Sequence, residues 1–300
     1  MHPRAILHPL LLALLCGLGA PVLAADFDPV TMDPPAADPP PRMDAVSIPS
    51  GSTTMNGIVY VPGGPGPHPV ALVLHGLPGN ERNLDLAQAL RRAGWAVVFF
   101  HYRGAWGSGG AFGFRNVLED VGAAVDWSLQ SGVRERFGLG EGPRTLVGHS
   151  MGGFAALGAG AEDADVGCIA SLAGANLGLL GRAVADPELE RRVVESMDAY
   201  ARGPLSGTSG TLLVSELARE AERFDLMTRI EALADHPLLL VAGSRDEVLD
   251  PAAHHAPLLA GLRDADADVR AHVLDDDHAF SASRIALSRA LVEWMGAQCR

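Results

Sequence analysis

From residue 51 onward the chain alternates between short apolar runs of strand length and longer stretches whose apolar residues recur every three or four positions. Gly57 to Val61 reads as a short strand, Val70 to Leu74 as a buried strand, Leu84 to Ala93 as a helix and Ala96 to Phe100 as a strand. Val117 to Leu129 (helix), Thr145 to Val147 (strand), Met151 to Ala161 (helix) and Val166 to Leu172 (strand) continue the series. Such an order predicts the α/β class, a mostly parallel sheet wrapped by helices on both faces.

The strands then stop. Between about 174 and 232 the pattern is helical in pieces, at Glu188 to Tyr200 and Ser215 to Phe224, around a glycine and serine loop at Gly203 to Gly210. This predicts a small helical insertion rather than a second domain. Alternation resumes with strand Pro237 to Ala242, a helix from Pro251 capped by Asp250, strand Val269 to Leu274, and a closing helix from Phe280 to Gln298. One domain over 51–300 accounts for the whole pattern.

The N-terminus reads differently. Met1 to Ala24 has a basic start at Arg4, an apolar run from Leu10 to Leu18 and a small-residue exit at Val22-Leu23-Ala24, the form of a secretory signal. The run is shorter than the ~20 apolar residues a membrane span needs, so export to the periplasm or beyond, without a stable anchor, is expected. Residues 25–50, rich in proline, are expected to be an extended, poorly packed lead-in. Cys16 falls in the signal, which leaves Cys168 and Cys299; Cys168, in an apolar run, reads as a small buried hydrophobe rather than part of a disulfide framework.

Composition removes several chemistries. A net charge of −13 argues against a nucleic-acid partner, because phosphate binding needs a basic face. All 23 basic residues are arginine, so neither Schiff-base chemistry nor a serine–lysine dyad is available. No cysteine or histidine spacing proposes a metal site, and no cofactor is expected; His254 and His255 are adjacent and would diverge on a helix.

The segment Leu146-Val147-Gly148-His149-Ser150-Met151-Gly152-Gly153 sets a serine at a tight strand-to-helix turn, flanked by the small residues such a turn needs. A serine hydroxyl becomes nucleophilic when a histidine takes its proton, and that histidine needs an acceptor to hold its tautomer. In open α/β sheets these groups follow the carboxyl ends of strands. The loop Ala173-Gly174-Ala175-Asn176 offers no carboxylate, whereas Gly243-Ser244-Arg245-Asp246-Glu247 offers Asp246, with Glu247 and the cap residue Asp250 as rivals. His278 is the sole histidine in the loop after the last strand. Donors for a developing oxyanion are expected from the Met151 backbone N–H and from that of Leu77 in the loop His75-Gly76-Leu77-Pro78-Gly79.

Together these loops resemble the α/β-hydrolase superfamily of serine hydrolases, from about Gly51 to the C-terminus. The run Tyr102-Arg103-Gly104-Ala105-Trp106-Gly107-Ser108 is similar to a loop of bacterial esterases and prolyl-oligopeptidase-like members, and the dienelactone-hydrolase branch is comparable except that it uses cysteine where this chain has Ser150. The resemblance implies a carboxylester or amide hydrolase with no cofactor, and does not imply a substrate; hydrolysis of a small-molecule ester or acyl substrate through Ser150, His278 and Asp246 is the default expectation. An acyltransferase or small peptidase with the same triad, or a noncatalytic binding protein on the same scaffold, are the alternative readings. Trp106, Phe112 and Phe114 are the candidates for the acyl or alcohol pocket.

Overall fold

A computed structural model of the protein describes residues 27–299. The signal segment lies outside them. Among the described residues eight strands form a single sheet in the order β1-β2-β4-β3-β5-β6-β7-β8. They are β1 (Arg42–Ser50), β2 (Thr53–Val61), β3 (Val70–Leu74), β4 (Ala96–Phe100), β5 (Arg144–His149), β6 (Val166–Leu172), β7 (Leu238–Gly243) and β8 (Val269–Leu274). β1 and β2 form an antiparallel hairpin, β2 runs antiparallel to β4, and all the remaining pairs are parallel.

The central strands are continuous apolar runs because both of their faces are covered. Helices α1 (Leu84–Arg92) and α11 (Arg284–Gln298) cover one face, packing Leu86, Leu90, Leu287, Leu291 and Trp294 on Ala71, Val73, Val97 and Leu239. On the other face lie α2 (Phe114–Leu129), α3 (Ser131–Phe137), α4 (Met151–Gly160) and α10 (Ala256–Asp264), the last preceded by the single turn α9 (Pro251–His254). Their apolar residues meet Leu72, Val98, Leu146, Ile169 and Leu240. Between β6 and β7 come α5 (Leu177–Ala183), α6 (Pro187–Ala201), α7 (Gly210–Arg219), a 3-10 turn at Leu226–Arg229 and α8 (Ile230–Leu233), with no strand in that interval.

Two expectations are corrected. The lead-in is not poorly packed throughout: from Arg42 it becomes β1, whose full length pairs with β2 because inward residues such as Ile48 are apolar and find the core. Residues before it are tied to the body, Asp28 to Arg289 at 2.8 Å and the carbonyl of Pro29 to Arg92 at 2.5 Å. Cys168 is not a free buried thiol. It forms a disulfide with Cys299, 131 residues away, because the β6 position it occupies faces α11 and the end of that helix brings Cys299 over it with a Cα–Cα distance of 5.8 Å.

The parallel register assembles the site. Leu74 pairs with Gly148, His149 with Leu172, and Gly243 with Leu274, so the strands end level with one another. The loops that follow them are therefore delivered to one edge of the sheet.

Candidate active site

Ser150 stands between β5 and α4 with φ 57° and ψ −120°. A side-chain-bearing residue in such a conformation costs about 1–3 kcal/mol, and its surroundings must hold it. Here the Ser150 N–H donates to the Leu172 carbonyl at 2.9 Å, and its own carbonyl accepts from the N–H groups of Gly153, Phe154 and Ala175 at 2.9, 3.2 and 3.0 Å. The flanking glycines are a steric requirement: a Cβ on Gly148 would collide with the Gly152 carbonyl, and one on Gly152 with the Leu74 carbonyl.

Asp246 occupies the turn after β7 and is buried. Its Oδ1 accepts from the N–H groups of Val248 and Leu249 at 2.9 and 2.8 Å, and its Oδ2 lies 2.7 Å from Nδ1 of His278. Burial pushes the carboxyl upward in pKa, but the His278 hydrogen bond and the two backbone donors outweigh it and hold the group below the usual carboxylate range. A carboxylate only accepts, so the hydrogen of this contact is carried by His278 Nδ1, and in the neutral ring Nε2 is the basic nitrogen. The rivals are elsewhere: Asp250 caps α9 through the Ala252 N–H at 2.9 Å, and Glu247 is exposed. The aspartates before His278 brace its loop, Asp277 accepting from Ala279 and Ser281 and Asp276 from Asp277 and Ala282.

Ser150 and His278 line one cleft of about 280 Å³, together with the loop from Gly76 to Glu81, His149, Tyr200, Val248 and Ala279. Leu77 is in this wall, and among the described residues no protein acceptor takes the N–H of Leu77 or of Met151. Both sequence-predicted donors are thus unengaged beside the serine.

The predicted pocket aromatics are not in the cleft wall. Phe112 and Phe114 are fully packed in the core, with ring centroids 6.0 Å apart and Phe114 6.4 Å from Phe224. They lie there because residues 104 to 112 fold back over α7 and its approach, where the Phe112 N–H donates to the Ser206 carbonyl at 3.0 Å. Trp106 braces the loop from Gly76 to Glu81 from outside, donating from Nε1 to the Pro78 carbonyl at 2.7 Å beneath the Arg82 guanidinium 4.4 Å from its ring. The wall residues that sequence reasoning missed are Tyr200, from α6, Val248 and His149. His149 Nε2 donates to the His278 carbonyl at 2.8 Å, its ring lies 4.8 Å from that of His278, and burial together with the neighbouring His278 imidazole pushes its pKa down to about 4. Only its place inside the serine turn could have signalled it.

Residues 66–179, spanning the loop from Gly76 to Glu81 and the serine turn, match the model of a hydrolase family described as serine aminopeptidase, S33. No curated protein sequence is significantly similar to the chain. Among solved structures, an esterase of Pyrococcus furiosus superposes with a TM-score of 0.63 at 16% identity, covering 89% of this chain and 98% of its own. Est1E of Butyrivibrio proteoclasticus superposes with a TM-score of 0.63 at 19% identity, covering 85% and 98%. The fold is that of the α/β hydrolases. An acylaminoacyl peptidase of Pyrococcus horikoshii shares this α/β-hydrolase fold with a TM-score of 0.62 at 16% identity, this chain matching 42% of its length with 86% of its own. In the α/β-hydrolase fold the serine turn, acid loop and histidine loop follow in the order seen here.

Proposed function

We propose that the protein is an exported serine esterase. The observation that carries the reading is the 2.7 Å contact between His278 and Asp246 at the sheet edge where Ser150 holds its left-handed turn. Ser150 Oγ attacks the ester carbonyl as His278 Nε2 takes its proton, and the charged imidazolium is stabilised by Asp246. The oxyanion forms against the N–H groups of Leu77 and Met151. His278 then gives the proton to the departing alkoxide, and water repeats the sequence on the acyl-enzyme. Leu77, Tyr200 and Val248 give the cleft an apolar wall suited to a small acyl group. The Est1E structure that holds ferulic acid, 18% identical to this chain, supports a small acid or its ester as ligand. Export is supported by the signal pattern and by the Cys168–Cys299 disulfide, which belongs to oxidising compartments.

Replacing Ser150 with alanine is expected to abolish hydrolysis of p-nitrophenyl acetate and butyrate with an unchanged circular-dichroism spectrum; undiminished turnover would overturn the reading. The aminopeptidase family match favours one second reading, in which Glu81, the carboxylate in the cleft wall, holds a substrate ammonium. Faster turnover of aminoacyl p-nitroanilides than of the esters, lost in Glu81→Gln, would select it.

A further inference from the structure

Beneath the oxyanion loop lie two histidines in contact, His75 at the start of the loop and His101 immediately after β4, the latter outside every motif of the sequence. His75 Nδ1 is 2.7 Å from the carbonyl oxygen of Gly76, and a carbonyl only accepts, so this nitrogen carries the hydrogen. Burial pushes His75 down to about 4, while burial and the neighbouring His75 push His101 down to about 3, so both rings are neutral near pH 7. The remaining nitrogen of His75, Nε2, is then a lone pair, and His101 Nδ1, 3.2 Å away, is the donor to it. The direction of the chain is fixed: His101 to His75 to the Gly76 carbonyl.

That carbonyl and the Leu77 N–H belong to one planar peptide unit, in which they point in opposite directions. Holding the carbonyl against the enclosed His75 turns the N–H away from it. The same peptide abuts the serine, since a Cβ on Gly76 would stand 3.0 Å from that of Ser150. Hydrogen bonds in series also polarise one another, roughly 10–30% per bond, which makes the Leu77 N–H a better donor. We propose that His101 is a positioning residue for the oxyanion site, acting through His75 to fix and polarise the Gly76–Leu77 peptide. The proposal rests on the serine-esterase reading.

The test uses His101→Phe, which keeps a ring among Phe99 and Trp106 but removes the donor, and His101→Asn, whose amide nitrogen stands near the place of the lost Nδ1. The readouts are kcat and KM on p-nitrophenyl acetate, the melting temperature, and inhibition by an alkyl trifluoromethyl ketone. In that adduct Ser150 Oγ bonds to the ketone carbon, its proton passes to His278, and the former carbonyl oxygen becomes an oxyanion. His101→Phe is expected to lower kcat and weaken the ketone by the same factor, about tenfold, a fraction of the ~10²–10³-fold loss of a whole donor. KM and melting temperature stay at wild-type values, and His101→Asn restores most of both losses. Equal ketone inhibition of wild type and His101→Phe, or a His101→Asn variant as impaired as His101→Phe, overturns the assignment and leaves the esterase reading standing. Wild-type protein that neither hydrolyses the ester nor binds the ketone overturns the esterase reading itself and the assignment with it.

Discussion

Asp246 shows how much chemistry a single side chain can settle. Its Oδ1 is committed to two backbone donors and its Oδ2 to His278, so no rotation satisfies one without the other. An asparagine there would keep its oxygen on the Val248 and Leu249 N–H groups and turn its NH2 toward His278. The imidazole would then accept at Nδ1 and carry its hydrogen on Nε2, the wrong tautomer for taking a proton from Ser150. Asp246→Asn is expected to lower kcat on p-nitrophenyl esters by about 10³–10⁴-fold with little change in KM. Steady-state kinetics with an unchanged melting temperature checks it, and loss confined to KM would contradict it.

The helical insertion matters as an element because it places Tyr200 in the cleft. Its connection after α6 is pinned to the loop that carries Trp106: Trp106 N–H donates to the Pro204 carbonyl at 2.8 Å and Ser206 N–H to the Gly104 carbonyl at 2.8 Å. A wall fixed in this way should size the substrate. Tyr200→Ala is expected to shift the preferred p-nitrophenyl ester toward longer acyl chains, by about tenfold in relative kcat/KM for one or two added methylenes, the usual worth of such groups. An unchanged chain-length profile would remove Tyr200 from the specificity surface.

The strands and helices that flank the site were legible in the residues because their patterns are long or sharply bounded: Ala96–Phe100, Val166–Leu172 and Val269–Leu274 match the expected spans at both ends. The order Ser150, Asp246, His278 was legible because each stands just beyond a strand that the pattern predicts, although β5 and β7 differ from their expected bounds by one or two residues. What was not legible depends on partners far away in the chain. β1 looked like linker because the prolines just before it, at 34, 35 and 39 to 41, dominate the composition of the segment, while α3 and α5, seven residues each, are too short for periodicity to declare. Phe112 and Phe114 were mistaken for pocket because a loop's aromatic residues show no sign of the core they enter. Tyr200 and Val248 reach the cleft from elements whose placement no local pattern encodes.

At the scale of the whole molecule the Cys168–Cys299 bond closes a loop of 131 residues across β6 and the end of α11. Cross-links over loops of this length constrain the unfolded chain by about 4–5 kcal/mol in the entropic account, though measured values often fall lower, at 2–4 kcal/mol. For a domain of this size, reduction or Cys299→Ser is expected to lower the melting temperature by roughly 5–15 °C. Calorimetry with and without a reductant checks the shift, and its absence would show that the α11 packing alone holds the C-terminus.

The central claim is that the loops this fold brings to one sheet edge make Ser150 a nucleophile, and covalent labelling tests it most directly. Wild-type protein treated with a fluorophosphonate is expected to gain one adduct by intact mass, mapped to the peptide containing Ser150, with labelling lost in Ser150→Ala and strongly slowed in His278→Ala. No adduct on folded wild-type protein, or an adduct at another residue, would contradict the account.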